Sequence, residues 1–274
     1  MGLVQLLFRH KTIIDRALEE DIGAGDITSD SIIPKDAVMH AQLIAKADGV
    51  TAGLFLLKKI CSEARVHLHV EDGAAVRKNQ VLADIEGNAR YILARERVVL
   101  NFVRHLSGIA TLTRRYVMAA TNGVKILDTR KTTPGLRKLE KYAVRMGGGQ
   151  NHRMGLYDMV LIKDNHIAVA GITDAVQRAR HTGKIIEVEV ESLVQLKEVI
   201  NAKPDLIMLD NMPIAYLKKA VKTVGGRIPI EISGGVTLEI IPQLCKLGVQ
   251  YISVGALTHS APSLDVSIEV RGAL

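Results

Sequence analysis

Tryptophan is absent from this chain, and there are only three phenylalanines and six tyrosines. A base-stacking surface for single-stranded nucleic acid is therefore poorly supplied. Long Lys/Arg runs, zinc-finger spacings and RNP-like patterns are missing too, so nucleic acid is not the expected partner. Two cysteines, Cys61 and Cys245, stand far apart. They form no CxxC pair and no disulfide framework, which points to buried thiols in a reducing cytoplasm. No apolar run approaches the roughly 18–20 residues that a membrane span needs. The N-terminal stretch MGLVQLLFRHKTIIDRALEEDIG is interrupted by charges and lacks the basic, apolar, small-residue order of a secretory signal. It reads as an amphipathic helix.

What the chain does have is length for a large core, an ordinary apolar content of 47%, and a net charge of +7. Its notable cations sit singly or in pairs at the ends of apolar segments, a pattern suited to a pocket for a small polyanion. From Lys184 onward, short β-branched runs alternate with helical patterns: KIIEVEVE, SLVQLKEVINA, DLIMLDN, PIAYLKKAVKTV, IPIEISGG, TLEIIPQLCKLG and VQYISVGA. VKILDTRK (124–131) and DMVLIKDN (158–165) fit the same scheme as strands ending in charge. Such alternation predicts βα units on a parallel sheet buried on both faces. Glu189, Asp210, Ser233 and Gly255 recur at intervals of 21 to 23 residues, each closing a strand. Arg130, Lys131 and Lys163 close others. Ligands of α/β sheets bind at the carboxyl ends of the strands, so these residues are the candidates for a site.

The first hundred residues differ. VHLHVEDGAAVRKNQVLADIEG predicts short antiparallel strands and resembles in outline a lipoyl- or biotinyl-carrier module. Its tip, Arg77-Lys78-Asn79, lacks the flanking methionine such a carrier needs, so a structural module is the better reading. GAGD is read as a turn. Residues 92–120 predict a long helix, and Ser107-Gly108 is the expected boundary between an N-terminal domain (1–107) and a C-terminal one (108–274).

Arg forks match carboxylates and phosphates, which draws Arg130 and Arg153 into the candidate pocket with His152 and Lys163. Arg97, on a helix, is not selected by pattern. Glu189 and Asp210 on successive strands should be spatial neighbours, as an acid/base pair or a Mg²⁺ site. Glu187 and Glu191 share the parity of Glu189, and spacing does not choose among the three. SGGV and SVGAL can expose backbone N–H groups to a phosphate. Gly147-Gly148-Gly149 are read as allowing close approach beneath the pocket.

DTRKTTPGLR (128–137), KYAVRMGGGQNHRMGLYDMVLIKDNH (141–166), EVEVES (187–192), LDN (209–211), SGG (233–235) and SVGALTHS (253–260) together resemble the signature blocks of the quinolinate phosphoribosyltransferases. EDIGAGDIT and RERVVLNFVRHLSGIAT match as well, so the resemblance covers essentially the whole chain. It implies an α/β fold: an incomplete α/β barrel preceded by an N-terminal α/β sandwich domain. The implied reaction joins quinolinate to phosphoribosyl pyrophosphate, with Mg²⁺, giving nicotinate mononucleotide, pyrophosphate and CO2 for NAD synthesis. The implied assembly is a homodimer with shared active sites, with a hexamer as the larger form open to it. Carried over by residue, Arg130, His152, Arg153 and Lys163 would bind quinolinate, with Arg97 reaching in from the partner subunit. Lys131 would face pyrophosphate. Glu189 and Asp210 would face the ribose and metal, which selects Glu189 from the three glutamates. Ser233, Gly234, Gly235, Gly255 and His259 would line the 5′-phosphate pocket, and Lys163 is the candidate to reprotonate the ring. A similar family associated with molybdenum transport operons is the nearest rival, and the intact TRKT and NHR blocks favour quinolinate.

Overall fold

The computed structural model describes residues 12–273. In chain order the elements are α1 (Ile13–Ile22), α2 (Ile27–Ile32), β1 (Val38–Ala45), β2 (Gly49–Val50), α3 (Phe55–Ile60), β3 (Arg65–Leu68), β4 (Ala75–Val76), β5 (Val81–Asn88) and α4 (Ala89–Ala119). There follow β6 (Lys125–Leu127), α5 (Arg137–Met146), β7 (Val160–Ile162), α6 (Asp164–Ala170), α7 (Ile172–Ala179), β8 (Ile186–Val190), α8 (Leu193–Ala202), β9 (Leu206–Asp210) and α9 (Ile214–Val224). The chain closes with β10 (Ile230–Ser233), α10 (Ile241–Cys245), β11 (Tyr251–Ser253), α11 (Ala256–His259) and β12 (Val266–Ala273). Contacts divide the chain into two compact units. One holds the described residues through Thr111, with Pro134–Met146 and the segment from Pro262; the other holds Leu112–Thr133 and Gly147–Ala261.

In the first unit, α1 starts at Thr12 because Thr12 and Asp15 each accept the other's backbone N–H, a capping box. The first eleven residues of the expected N-terminal helix lie outside the described residues. GAGD is a turn, and its Asp26 caps α2 by accepting the Ser29 N–H at 3.1 Å. The four-stranded sheet, in the order β12-β1-β5-β3, is antiparallel throughout. Along β1, Met39, Ala41 and Leu43 are buried while His40 and Gln42 are not, the alternation of a sheet with one covered face.

The long helix α4 runs without interruption through Ser107-Gly108. Ser107 Oγ accepts from Ala52 N at 3.0 Å and donates to Ala52 O at 3.2 Å, so its burial leaves no orphaned hydroxyl. A Cβ on Gly108 would stand 2.2 Å from Pro262 O. This pair marks a close backbone approach within the first unit, where any side chain would force the segments apart.

The second unit contains a six-stranded sheet in the order β6-β11-β10-β9-β8-β7, with every neighbouring pair parallel. All five residues of β8 are buried, as a strand covered on both faces requires. Gln150 bridges in parallel to Leu127 and covers the outer edge of β6, with Gln150 N donating to Ile126 O at 2.9 Å. These are the strands and helices of the expected incomplete α/β barrel. Cys61 and Cys245 are buried, and burial pushes the Cys61 thiol up to about 11, which keeps it protonated and inert. No helix among the described residues is long and apolar enough to cross a membrane.

Candidate active site

Strand alternation decides what enters the site. On β8, Glu187 and Glu189 share a face. The register Glu189↔Met208, Met208↔Glu231 and Asp210↔Ser233 carries that face across β9 and β10. Along it, at the carboxyl ends of the strands, lies a cleft of about 220 Å³ within the second unit. Arg130, Lys131, His152, Arg153, Lys163, Glu189, Asp210 and Ser233, all expected from sequence, line it. Thr129, Leu161, Met208 and Ser253 line it too, and sequence reasoning had given them no place. For Leu161, Met208 and Ser253 a signal was available in the alternation, since each lies two residues before a residue already chosen; Thr129, beyond the end of β6, simply precedes Arg130.

Lys163 ends β7 and forms an ion pair with Glu189. Its backbone N–H donates to His166 Nδ1 at 3.0 Å, which fixes the strand end from which the ammonium projects. Arg153 is 9% exposed and its Nη1 donates to Met159 O at 3.1 Å. Burial, and after it the nearby charge of Arg130, pulls the Arg153 guanidinium below its ordinary value. Two guanidiniums close enough to repel each other give the cleft a strong preference for an anion.

Asp128, fully buried just beyond β6, sets the NHR segment. Its Oδ1 accepts the His152 N–H at 2.9 Å, and its Oδ2 accepts from Asn151 Nδ2 at 2.5 Å. The His152 ring is then engaged at both nitrogens. Nδ1 accepts the Arg153 N–H at 2.7 Å, which puts the ring proton on Nε2, and Nε2 donates to Glu187 Oε2 at 3.0 Å. The imidazole thus lines the cleft as a wall fixed at both ring nitrogens.

Carboxyl oxygens of Glu189, Glu191 and Asp210 lie within 4.8 Å of one another. An all-oxygen set of carboxylates beside a cationic cleft has the hard-donor chemistry of Mg²⁺. Beside this set, Asn211 Nδ2 donates to Asp210 Oδ2 at 2.6 Å. Gly234 has φ +93° and a Cβ there would meet Asn211 Oδ1 at 2.2 Å, so both conformation and space demand glycine. At the next strand, a Cβ on Gly255 would be 3.0 Å from His259 Nε2 and 3.5 Å from Lys131 Cδ, which puts these three residues together beside the cleft. Thr258 Oγ1 donates to Lys131 O at 2.7 Å and ties α11 to the strand end. Gly148 has φ +93°, a left-handed turn that favours glycine, and a Cβ there would make ordinary contact with Val117 at 3.6 Å. Arg97 is exposed on α4 and is not among the residues lining the cleft.

The models of the N-terminal and C-terminal domains of quinolinate phosphoribosyl transferase match residues 26–107 and 109–269. The chain belongs to the quinolinate phosphoribosyltransferase family. It is 47% identical over 269 residues to the probable nicotinate-nucleotide pyrophosphorylase [carboxylating] of Bacillus subtilis, covering 95% of this chain and 93% of that one. NadC of Streptococcus pyogenes superposes with a TM-score of 0.88 at 40% identity, covering 95% of each chain. The nicotinate-nucleotide pyrophosphorylase of Ehrlichia chaffeensis does so with a TM-score of 0.90 at 38% identity, covering 99% of each. As a quinolinate phosphoribosyltransferase family member, the chain has its cationic cleft where a doubly charged acceptor and a phosphorylated donor would both find counter-charges.

Proposed function

We infer that this chain transfers the phosphoribosyl group of phosphoribosyl pyrophosphate to quinolinate and releases CO2, forming nicotinate mononucleotide and pyrophosphate for NAD synthesis. The observation that carries this reading is the convergence of Arg130, Lys131, Arg153 and Lys163 on one cleft that also holds Glu189 and Asp210. Quinolinate brings two adjacent carboxylates, and the donor brings a phosphate and a pyrophosphate. Arg130, Arg153 and Lys163 hold the carboxylates and turn the pyridine nitrogen toward the anomeric carbon, so the acceleration begins with positioning. The ring nitrogen's lone pair forms the new bond to the anomeric carbon as the bond to pyrophosphate breaks. Positive charge grows on the ribose, where Glu189 and Asp210 stabilise it, and Lys131 faces the departing pyrophosphate. The backbone at Ser233, Gly234, Gly235 and Gly255, with His259, receives the 5′-phosphate.

With the ring nitrogen cationic, the adjacent carbon can release its carboxylate as CO2 and keep the electron pair. It must then take a proton, and Lys163, an ammonium in the cleft beside Glu189, is the donor in this reading. Glu189 and Asp210, with Glu191 beside them, have the donor chemistry to hold Mg²⁺, which when bound supplies positive charge to the phosphates. His152 belongs to the acceptor site as a wall. Arg97 completes the site from the partner subunit of a homodimer, the unit from which a hexamer could be built, and two buried thiols suit a cytoplasmic location.

The reading is tested by incubating the protein with quinolinate, phosphoribosyl pyrophosphate and Mg²⁺. Nicotinate mononucleotide and CO2 are expected in equal amounts, and excess EDTA should stop their formation. Intact donor after long incubation would overturn the reading. Mixing Arg97→Ala with Arg130→Ala protein tests the shared site: restored activity is expected, and none in verified heterodimers would contradict it.

A further inference from the structure

We infer that Glu231 is a positioning residue for the acceptor site: with Glu187 it clamps the His152 ring from below, and through that ring it sets Arg153. This rests on the acceptor reading above and adds to it a residue that never touches the substrate.

A second cavity, of about 400 Å³, opens at the opposite ends of the same strands, where Ile185, Asp205, Pro229 and Tyr251 line it. His152 and Arg153 line both cavities, whereas Glu231 lines only the lower one. The partition between substrate cleft and lower cavity is therefore about one side chain thick at this point. It is made of polar groups, where apolar residues of similar volume would ordinarily cost less to bury. Glu187 and Glu231 are both fully buried, and their carboxyl oxygens and a His152 ring nitrogen lie within 4.8 Å of one another. His152 Nε2 is 3.0 Å from Glu187 Oε2 and 3.7 Å from Glu231 Oε1. Ser253, which lines the upper cleft, donates its hydroxyl to Glu231 Oε1.

Each link has a direction. The two buried carboxyl groups flank the His152 ring, their oxygens and a ring nitrogen within 4.8 Å of one another. Glu187 Oε1 and Glu231 Oε2 are buried with no hydrogen-bond partner among the described residues, so neither carboxyl is held by bonds other than those to His152 and Ser253. Glu187 then accepts from His152 Nε2, and His152 Nδ1 receives the N–H of Arg153. With both ring nitrogens occupied, His152 has no N–H to turn toward a carboxylate. Its service to the acceptor is to hold the backbone from which the Arg153 guanidinium projects. Without Glu231, the Ser253 hydroxyl loses its partner, the ring loses one of its two flanking carboxyls, and the lower cavity gains access to the cleft. The glycines of the 5′-phosphate side in that reading, Gly234 and Gly255, take no part in the clamp's hydrogen bonds.

The test compares wild type with Glu231→Leu, which keeps volume but not hydrogen bonds, and Glu231→Gln, which keeps both. Kinetics with each substrate are paired with calorimetric binding of phthalate, an aromatic ortho-dicarboxylate without the reacting nitrogen. Glu231→Leu should raise the quinolinate KM and the phthalate Kd about tenfold or more, with the phosphoribosyl pyrophosphate KM held within about twofold. Glu231→Gln should restore both acceptor values to within about threefold of wild type. If Glu231→Leu does not fold, Ser253→Ala must show the same selective loss at smaller size. The inference is overturned if acceptor values do not move, if both substrates weaken equally, or if Gln is no better than Leu. Wild-type protein that neither turns over quinolinate nor binds phthalate would instead overturn the acceptor reading, and the inference would fall with it.

Discussion

Glu187 and Glu189 stand two residues apart on one face of β8, and their surroundings give them different roles. Glu189 lines the cleft, paired with the Lys163 ammonium and with Asp210 oxygens within 4.8 Å, where its carboxyl is available to a ligand. Glu187 is one turn of the pleat deeper, with no exposure. Burial pushes it up to about 8, and burial together with the Glu187 charge does the same to Glu231. The same residue type thus supplies charge at the strand end and, one step below, a buried scaffold around His152 that is pushed toward its protonated form. A parallel strand in an α/β sheet can hold both because its alternation keeps i and i+2 on one face at different depths.

Neutral substitutions should separate the two layers. The largest effect is expected at the rim: Glu189→Gln and Asp210→Asn each remove a charge facing the ribose, and kcat should fall by about 10²–10³ with folding unchanged. Steady-state kinetics beside thermal melting would show it, and near-normal kcat would erase the distinction between the layers. Lys163→Met should follow, with loss of both acceptor binding and the proton for the ring; quinolinate-dependent kcat/KM is expected to drop by about 10²-fold. A Lys163→Met enzyme with full turnover would remove that lysine from the chemistry. In the buried layer, Glu187→Gln preserves an acceptor for His152 and should leave kcat/KM within about threefold of wild type.

The smallest effect sharpens the comparison through pH. A carboxyl whose folded pKa lies above its unfolded value of 4.5 contributes stability that is complete below 4.5 and is lost as pH rises through about 8. Glu231→Gln cannot ionise, so its melting temperature should decline less than that of wild type between about pH 5 and pH 8. Scanning calorimetry at several pH values would reveal this, and parallel profiles for the two proteins would contradict the burial argument.

Much of this was legible in the chain. The βα alternation after Lys184, the charged strand ends and the glycine pair at Gly234-Gly235 follow from periodicity and from the rule that parallel strands present ligands at their carboxyl ends. Resemblance then supplied what pattern could not, including the choice of Glu189 over Glu187 and Glu191. The structure divides those three by depth: Glu187 joins His152 and Glu231, while Glu189 and Glu191 lie with Asp210. Depth within a twisted sheet depends on strand tilt and register, which spacing along one strand does not encode. Glu231 was missed because IPIEISGG reads as an apolar strand with one interior glutamate, and only the fold shows that Ser253 and His152 surround it. The setting of the His152 ring was hidden for a related reason. Asp128, whose position after an apolar run gives no hint of its role, turns the NHR backbone so that Arg153 N meets the ring. That Gly108 stands against Pro262, a residue distant in sequence, is likewise not encoded by spacing along the chain.

The most direct test of the account is acceptor discrimination. The purified protein is given phosphoribosyl pyrophosphate and Mg²⁺ with either quinolinate or nicotinate, which lacks the second carboxylate. A cleft in which Arg130, Arg153 and Lys163 together hold two carboxylates predicts nicotinate mononucleotide and CO2 from quinolinate, and little or no product from nicotinate. Equal turnover of both acceptors, or of neither, would contradict it.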